Sequence, residues 1–250
     1  MKKIFLSLLI CALFANPAQA AMSDYDFVVL AGSGTLQEIQ EAIRNGANVN
    51  AKVVRWDFFE QTPLISAALR NPNLEVIAAL VNAGADINAK SDGWTALMLA
   101  LSQQHQRDLE VIIALIEAGA DVNVSDGFNP PLRLATGHSN EAITLLLKAG
   151  ADINVGDALG VAAMLSPDPE MIMTLVKAGA DVNARTECGS TPLMSAAHSN
   201  ASEVVLTLLN HGADPTIRND DGRMAIDFAR ENDALRNTDA LRRLAEASGI

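Results

Sequence analysis

One phrase keeps returning along the chain: Asn45-Gly-Ala-Asn-Val-Asn50, Ala83-Gly-Ala-Asp-Ile-Asn88, Ala118-Gly-Ala-Asp-Val-Asn123, Ala149-Gly-Ala-Asp-Ile-Asn154, Ala178-Gly-Ala-Asp-Val-Asn183 and His211-Gly-Ala-Asp-Pro215. Its glycines, Gly46, Gly84, Gly119, Gly150, Gly179 and Gly212, stand 38, 35, 31, 29 and 33 residues apart, a mean of about 33. Regularity at that period is the mark of stacked structural units. A second phrase precedes most of these glycines by a little over twenty residues: Thr62-Pro-Leu-Ile-Ser-Ala-Ala68, Thr95-Ala-Leu-Met-Leu-Ala100, Pro130-Pro-Leu-Arg-Leu-Ala135 and Thr191-Pro-Leu-Met-Ser-Ala-Ala197.

Each phrase has a mechanical reading. Thr62 and Thr191 offer hydroxyls that cap a helix, and Pro63 and Pro192 fall at the first helical position, where a missing N–H costs nothing. Second helices are expected to open at Asn73, Asp108, Ser139 and Asp168, each followed two residues later by a Glu that meets the positive end of the helix dipole. Apolar runs such as Val76 to Val81, Ile143 to Leu147 and Val204 to Leu209 supply the packing face. The repeated Gly then stops the helix in a left-handed conformation, and Asp and Asn lead into an extended finger.

Both phrases resemble the ankyrin repeat, and the resemblance spans nearly all of residues 21–250. It implies an all-α solenoid of stacked helix-turn-helix units with β-turn or hairpin fingers. On this reading residues 24–50 form an N-terminal cap, 51–216 five fuller repeats and 217–247 a C-terminal cap, the whole of 21–250 being a single domain. The repeats are numbered here with the N-terminal cap as the first, giving seven.

Composition agrees. Of 250 residues, 49% are apolar and only 19% charged, which excludes a disordered chain. Aromatics make up 4%, as expected where alanine and leucine let helices approach closely. With 18 Lys and Arg against 30 Asp and Glu the net charge is −12, which repels phosphate backbones and anionic lipid headgroups. No nucleic-acid partner is therefore expected.

Lys2 and Lys3, the apolar run Ile4 to Ala15 and the stretch Ala18-Gln19-Ala20 form the three regions of a secretory signal peptide over residues 1–20. Cleavage after Ala20 removes both lysines, taking the charge to −14, and leaves Cys188 as the single cysteine, so no internal disulfide is expected. The expected destination is the periplasm or beyond it, with no membrane association after cleavage.

Fingers that depart from the pattern carry the specific information, because the resemblance implies binding through finger tips and the concave face of the first helices. The second repeat's finger, Lys52 to Gln61, is long and holds Arg55, Trp56, Asp57, Phe58 and Phe59. Two arrangements fit these aromatics: anchors for a partner, or a local mini-core folded back over the repeat. Asp92, Trp94, Asp126, Phe128, Arg185 and Glu187 are the further candidate contacts, although Trp94 and Phe128, each following a finger glycine, also suit packing at the finger's base. The fifth repeat's finger is nearly absent, with Gly156 alone between Val155 and Asp157. The third repeat has a longer loop at Gln103 to Arg107. Ile65, Met98, Arg133 and Met194 stand where the resembled family carries a histidine that ties neighbouring loops, so a weaker hydrogen-bond network is expected. Met98 and Met194 fit either the core or a partner-facing groove.

No reaction motif appears. The histidines His105, His138, His198 and His211 have neither i, i+4 spacing nor a cysteine partner, so no zinc site is expected. Gly32-Ser33-Gly34 lacks the third glycine of a nucleotide loop. The sequence thus predicts a non-catalytic, cofactor-free and monomeric scaffold for another protein. Immunity against a periplasmic toxin and export as an effector are the alternative roles.

Overall fold

The computed structural model describes residues 22–54, 60–102, 108–199 and 202–249. Arg55, Trp56, Phe58, Phe59 and the expected loop at Gln103 to Arg107 lie outside the described residues. The chain divides into two compact units, Met1–Asp86 and Ile87–Ile250.

In the first unit, helices α1 (Asp24–Ala31) and α2 (Leu36–Arg44) form the N-terminal cap, and α3 (Pro63–Arg70) and α4 (Glu75–Asn82) the second repeat. Between the pairs, β1 (Val53–Val54) runs antiparallel to β2 (Glu60–Gln61), with Val53 opposite Gln61 and Val54 opposite Glu60. That pairing is the stem of the long finger. Helix α1 packs on α3 and α2 on α4, so even the cap obeys the two-layer arrangement.

The second unit continues with α5 (Ala96–Ser102), α6 (Asp108–Glu117), α7 (Pro131–Ala135), α8 (Asn140–Lys148), α9 (Ala158–Leu165), α10 (Pro169–Lys177), α11 (Pro192–Ser199), α12 (Ser202–Asn210), α13 (Ala225–Glu231) and α14 (Asp239–Ser248). The first helices α5, α7, α9, α11 and α13 contact one another in succession, and the second helices α6, α8, α10, α12 and α14 do the same. Two parallel layers of helices result.

Several caps that the sequence specifies are formed. Thr62 Oγ1 accepts from the Ile65 N–H at 3.1 Å and Thr191 Oγ1 from the Met194 N–H at 3.4 Å. Asn73, Ser139 and Asp168 likewise accept from backbone N–H groups at the starts of second helices. Thr35 and Glu38 form a reciprocal capping box at α2, satisfying two otherwise orphaned donors.

Packing repeats with the sequence. Leu64, Leu97, Leu132, Leu159, Leu193 and Ile226 are buried on the first helices, and three residues on from each lies a buried alanine: Ala67, Ala100, Ala135, Ala162, Ala196 and Ala229. The large side chain fills the layer and the methyl lets the next helix come close, at interior packing density. Second helices bury Ile77 and Leu80, Ile112 and Leu115, Ile143 and Leu146, Ile172 and Leu175, and Val205 and Leu208, each spaced i, i+3 on one face. A buried aliphatic of this size contributes about 1.5–3 kcal/mol relative to exposure. Met98 and Met194 are buried too and belong to this core, not to a groove.

Loops are joined by a device that the turn reading of Asn overlooks. Asn50 Nδ2 donates to Gly84 O at 2.9 Å while its Oδ1 accepts from Asp86 N at 2.8 Å, both within the first unit. In the second unit Asn123 does the same to Gly150 O and Asp152 N, and Asn183 to Gly212 O and Asp214 N. Asn88 Oδ1 accepts from Asp121 N. Asn50, Asn123 and Asn183 thus each clamp the following repeat's loop by two backbone groups, and Asn88 accepts from one. Asn154, at the equivalent place, makes no such bond to Gly179 or Asp181.

The expectation that losing the family histidine weakens the ties between loops holds poorly at Arg133. Its Nη1 donates to Gly156 O at 3.1 Å, bridging the fourth and fifth repeats by a longer side chain. No helix among the described residues is long and apolar enough to cross a membrane.

Candidate protein-binding tips

The finger tips of successive repeats differ in what they present. On the second repeat's finger, Lys52 and Glu60 flank the stem with an ion pair at 3.5 Å, and Val54 is exposed.

On the third repeat, Ser91 and Trp94 exchange both backbone hydrogen bonds at 2.9 Å. The two residues between them, Asp92 and Gly93, have φ of +49° and +85°. Positive φ at both central positions is the two-residue turn that matches strand twist, and Asp-Gly is its favoured sequence. Asp92 is exposed at the apex, while Trp94 is half-buried at the base. That half-buried position beside the turn suits packing at the finger's base, one of the two roles expected of Trp94.

On the fourth repeat the turn is longer and the aromatic goes outward. Asp126 Oδ1 accepts from Phe128 N at 2.8 Å and Asn129 N at 2.7 Å, and Oδ2 accepts from Asn129 Nδ2 at 3.1 Å. The Asn129 amide first, then these backbone N–H groups, holds the Asp126 carboxyl below its usual range. A charged carboxylate bound by three donors makes a stiff turn. Phe128, on its crest, is 81% exposed. It does not pack at the finger's base.

The third and fourth fingers lie against each other: Lys90 Nζ donates to Ser125 O at 2.8 Å, and a Cβ on Gly93 would stand 3.8 Å from Asp126 Cβ. Asp92, Asp126 and Phe128 are thereby brought onto adjoining tips, with Trp94 at the base of the first.

In the fifth repeat the finger is reduced to a turn, and Gly156, at φ +81°, is so close to Pro130 that a Cβ would collide with the proline ring. Asp157 follows at φ +52° and caps α9 by accepting from Gly160 N at 3.1 Å. Burial pushes its carboxyl up, opposed by the Gly160 N–H and the Arg133 charge. Val155 is exposed beside it.

The sixth repeat's tip carries Arg185 and Glu187, both exposed, together with exposed Cys188. Arg185 reaches the seventh repeat, donating to Arg218 O at 2.9 Å and pairing with Asp220 at 3.6 Å. Its guanidinium is thus committed within the fold, whereas Glu187 points to no partner in the described hydrogen bonds. Among the described residues no group of three or more His, Cys, Asp or Glu side chains is placed to hold a metal ion.

Helix pairs stacked in two layers within each unit, with finger tips at their starts, are the architecture of repeat-built interaction scaffolds. The chain is a member of the ankyrin-repeat family: residues 27–126 match a family model described as "Ankyrin repeats (3 copies)" and residues 175–229 one described as "Ankyrin repeats (many copies)". Among solved structures it is similar to one titled "Crystal structure of human ASB11 ankyrin repeat domain", at 26% identity and a TM-score of 0.69, covering 90% of this chain and 98% of that one. Nothing among curated proteins matches. Ankyrin repeats generally mediate protein–protein interaction, and their members are typically non-catalytic.

Proposed function

We propose that this chain is an exported, non-catalytic binding module that engages another protein in the bacterial periplasm, with the Phe128 tip as a principal anchor. The observation that carries the reading is a phenylalanine 81% exposed on a turn stiffened by Asp126. Large aromatics left wet are the side chains most often found at the energetic centre of interfaces. A pre-organised turn loses little conformational freedom on binding. Asp92 on the adjoining tip and Glu187 on the sixth add acidic contacts, and Arg55, Trp56, Phe58 and Phe59 remain in the proposed site on sequence grounds. The signal-peptide pattern at residues 1–20 supports the location, and a single domain that works as a monomer is the simplest form of the module.

Capture from a periplasmic extract tests this. Phe128→Ala is expected to lower recovery of bound protein by about 30-fold, as for an anchor worth about 2 kcal/mol. Recovery equal to wild type overturns the assignment of Phe128, and a parallel Trp56→Ala/Phe58→Ala variant tests the second repeat's finger. The acidity of the chain favours one second reading, an immunity protein whose charge imitates the substrate of a toxin; a neighbouring toxin gene would support it.

A further inference from the structure

Two features weaken the fourth repeat, residues 124–154, and two more fall on the fifth repeat that it joins. Helix α7 is five residues long and starts at Pro130-Pro131 with no capping side chain, whereas Thr62, Thr95 and Thr191 cap the corresponding helices of other repeats. In α8 the Asn140 Oδ1 is buried and has no hydrogen-bond partner. Asn154 does not clamp the next loop, although Asn88, Asn123 and Asn183 clamp theirs within the same unit. Across the joint, Asp157 begins α9 in a left-handed conformation with its carboxylate half-buried.

The Asn123 clamp on Gly150 and Asp152 and the bond from Arg133 to Gly156 O hold the fourth repeat at its edges, but the uncapped start of α7 and the orphaned Asn140 carbonyl weaken it from within, and α7 buries only Pro131, Leu132 and Ala135. In a stack where every repeat touches only its neighbours, stability is a sum of local and nearest-neighbour contributions. Segments with the fewest satisfied bonds then open without unfolding the rest.

We propose that the fourth repeat is the opening segment of the second unit: α7 and α8 unfold and refold together while α11 and α12 stay folded, carrying the Phe128 tip with them. The structural part stands alone; its relevance to binding rests on the reading of Phe128 given above.

Native-state hydrogen exchange on the purified full chain is the test, and it needs no partner. Amides within α7 and α8 are expected to exchange with a common opening at least about tenfold faster than those within α11 and α12. Equal or slower exchange in the fourth repeat overturns the proposal. Asn140→Ala removes the orphaned carbonyl, and it is expected to slow exchange in α8 severalfold while leaving α12 unchanged. If exchange slows equally in both helices, the opening is global and the proposal fails. A Phe128→Ala chain that captures its partner normally but still opens in this way would sink the binding reading alone.

Discussion

Asn123 accepts a hydrogen bond from the Asp152 backbone N–H at 2.8 Å, 29 residues further on, and returns one to Gly150 O at 3.1 Å. One side chain thereby fixes the spacing of two successive loops. Asn183 repeats the arrangement and Asn154 does not, which provides an internal control.

Asn123→Ala is expected to cost about 1 kcal/mol, the usual net value of such bonds where solvent can replace them in part. For a chain of this size that is a fall in Tm of roughly 2–4 °C. Asn154→Ala is expected to stay within about 0.5 kcal/mol of wild type. Paired urea titrations decide it, and equal costs at the two sites would refute the clamp.

The sign of the Asp157 effect follows from burial, which raises its folded carboxyl above the usual value. Stability from such a group is fully present below the unfolded value of about 3.9 and is lost as pH rises through the raised folded one. Neutral pH therefore holds the fifth repeat at a penalty. Asp157→Asn keeps a helix-capping side chain that tolerates positive φ and is expected to raise Tm at pH 7, with the gain shrinking as pH falls toward 4. A gain independent of pH would place its cause elsewhere.

Asp126 behaves in the opposite sense. Its folded carboxyl is lowered by Asn129 and the turn's N–H groups, so its contribution is present above about pH 3.9 and disappears as pH falls through the lower folded value. Asp126→Ala is expected to leave Tm nearly unchanged because the turn is on the surface, yet to broaden the backbone NMR signals of Gly127 to Asn129. Sharp, unshifted signals would show that the carboxylate does not organise the tip.

Gly156 and Gly150 both have positive φ, +81° and +93°, but only Gly156 is crowded. Gly150→Ala is expected to cost about 1–2 kcal/mol from conformation alone. Gly156→Ala should exceed this, since Pro130 must also move. Equal denaturation midpoints for the two variants would contradict the close approach.

The fold was legible because its signals are periodic: Thr62 and Thr191 cap, Pro63 and Pro192 start helices, and the glycine phrase ends them, with each local choice agreeing with the next. What escaped was long-range. Asn50, Asn123 and Asn183 look like ordinary turn residues, since their partners stand about 30 residues away and only the stacking brings them near. Arg133 similarly read as a lost histidine, although its longer reach makes a bond to Gly156. For the tips, Trp94 and Phe128 were indistinguishable in sequence, each following a glycine. The two-residue turn at Asp92-Gly93 returns Trp94 to a paired, half-buried position, whereas the Asp126 turn leaves Phe128 outside. Arg185 reads as a candidate contact in the sequence, and its ties to Arg218 O and Asp220 depend on the next repeat's loop.

The asparagine clamps have a further consequence for how such a chain can change. Because each clamp grips only main-chain atoms of the repeat ahead, the gripped repeat can vary its side chains without loosening the grip. Repeats so joined are interchangeable parts. The loop at Gly179 to Asp181, which Asn154 does not grip, is the one at which a segment can be inserted, duplicated or exchanged without breaking such a clamp.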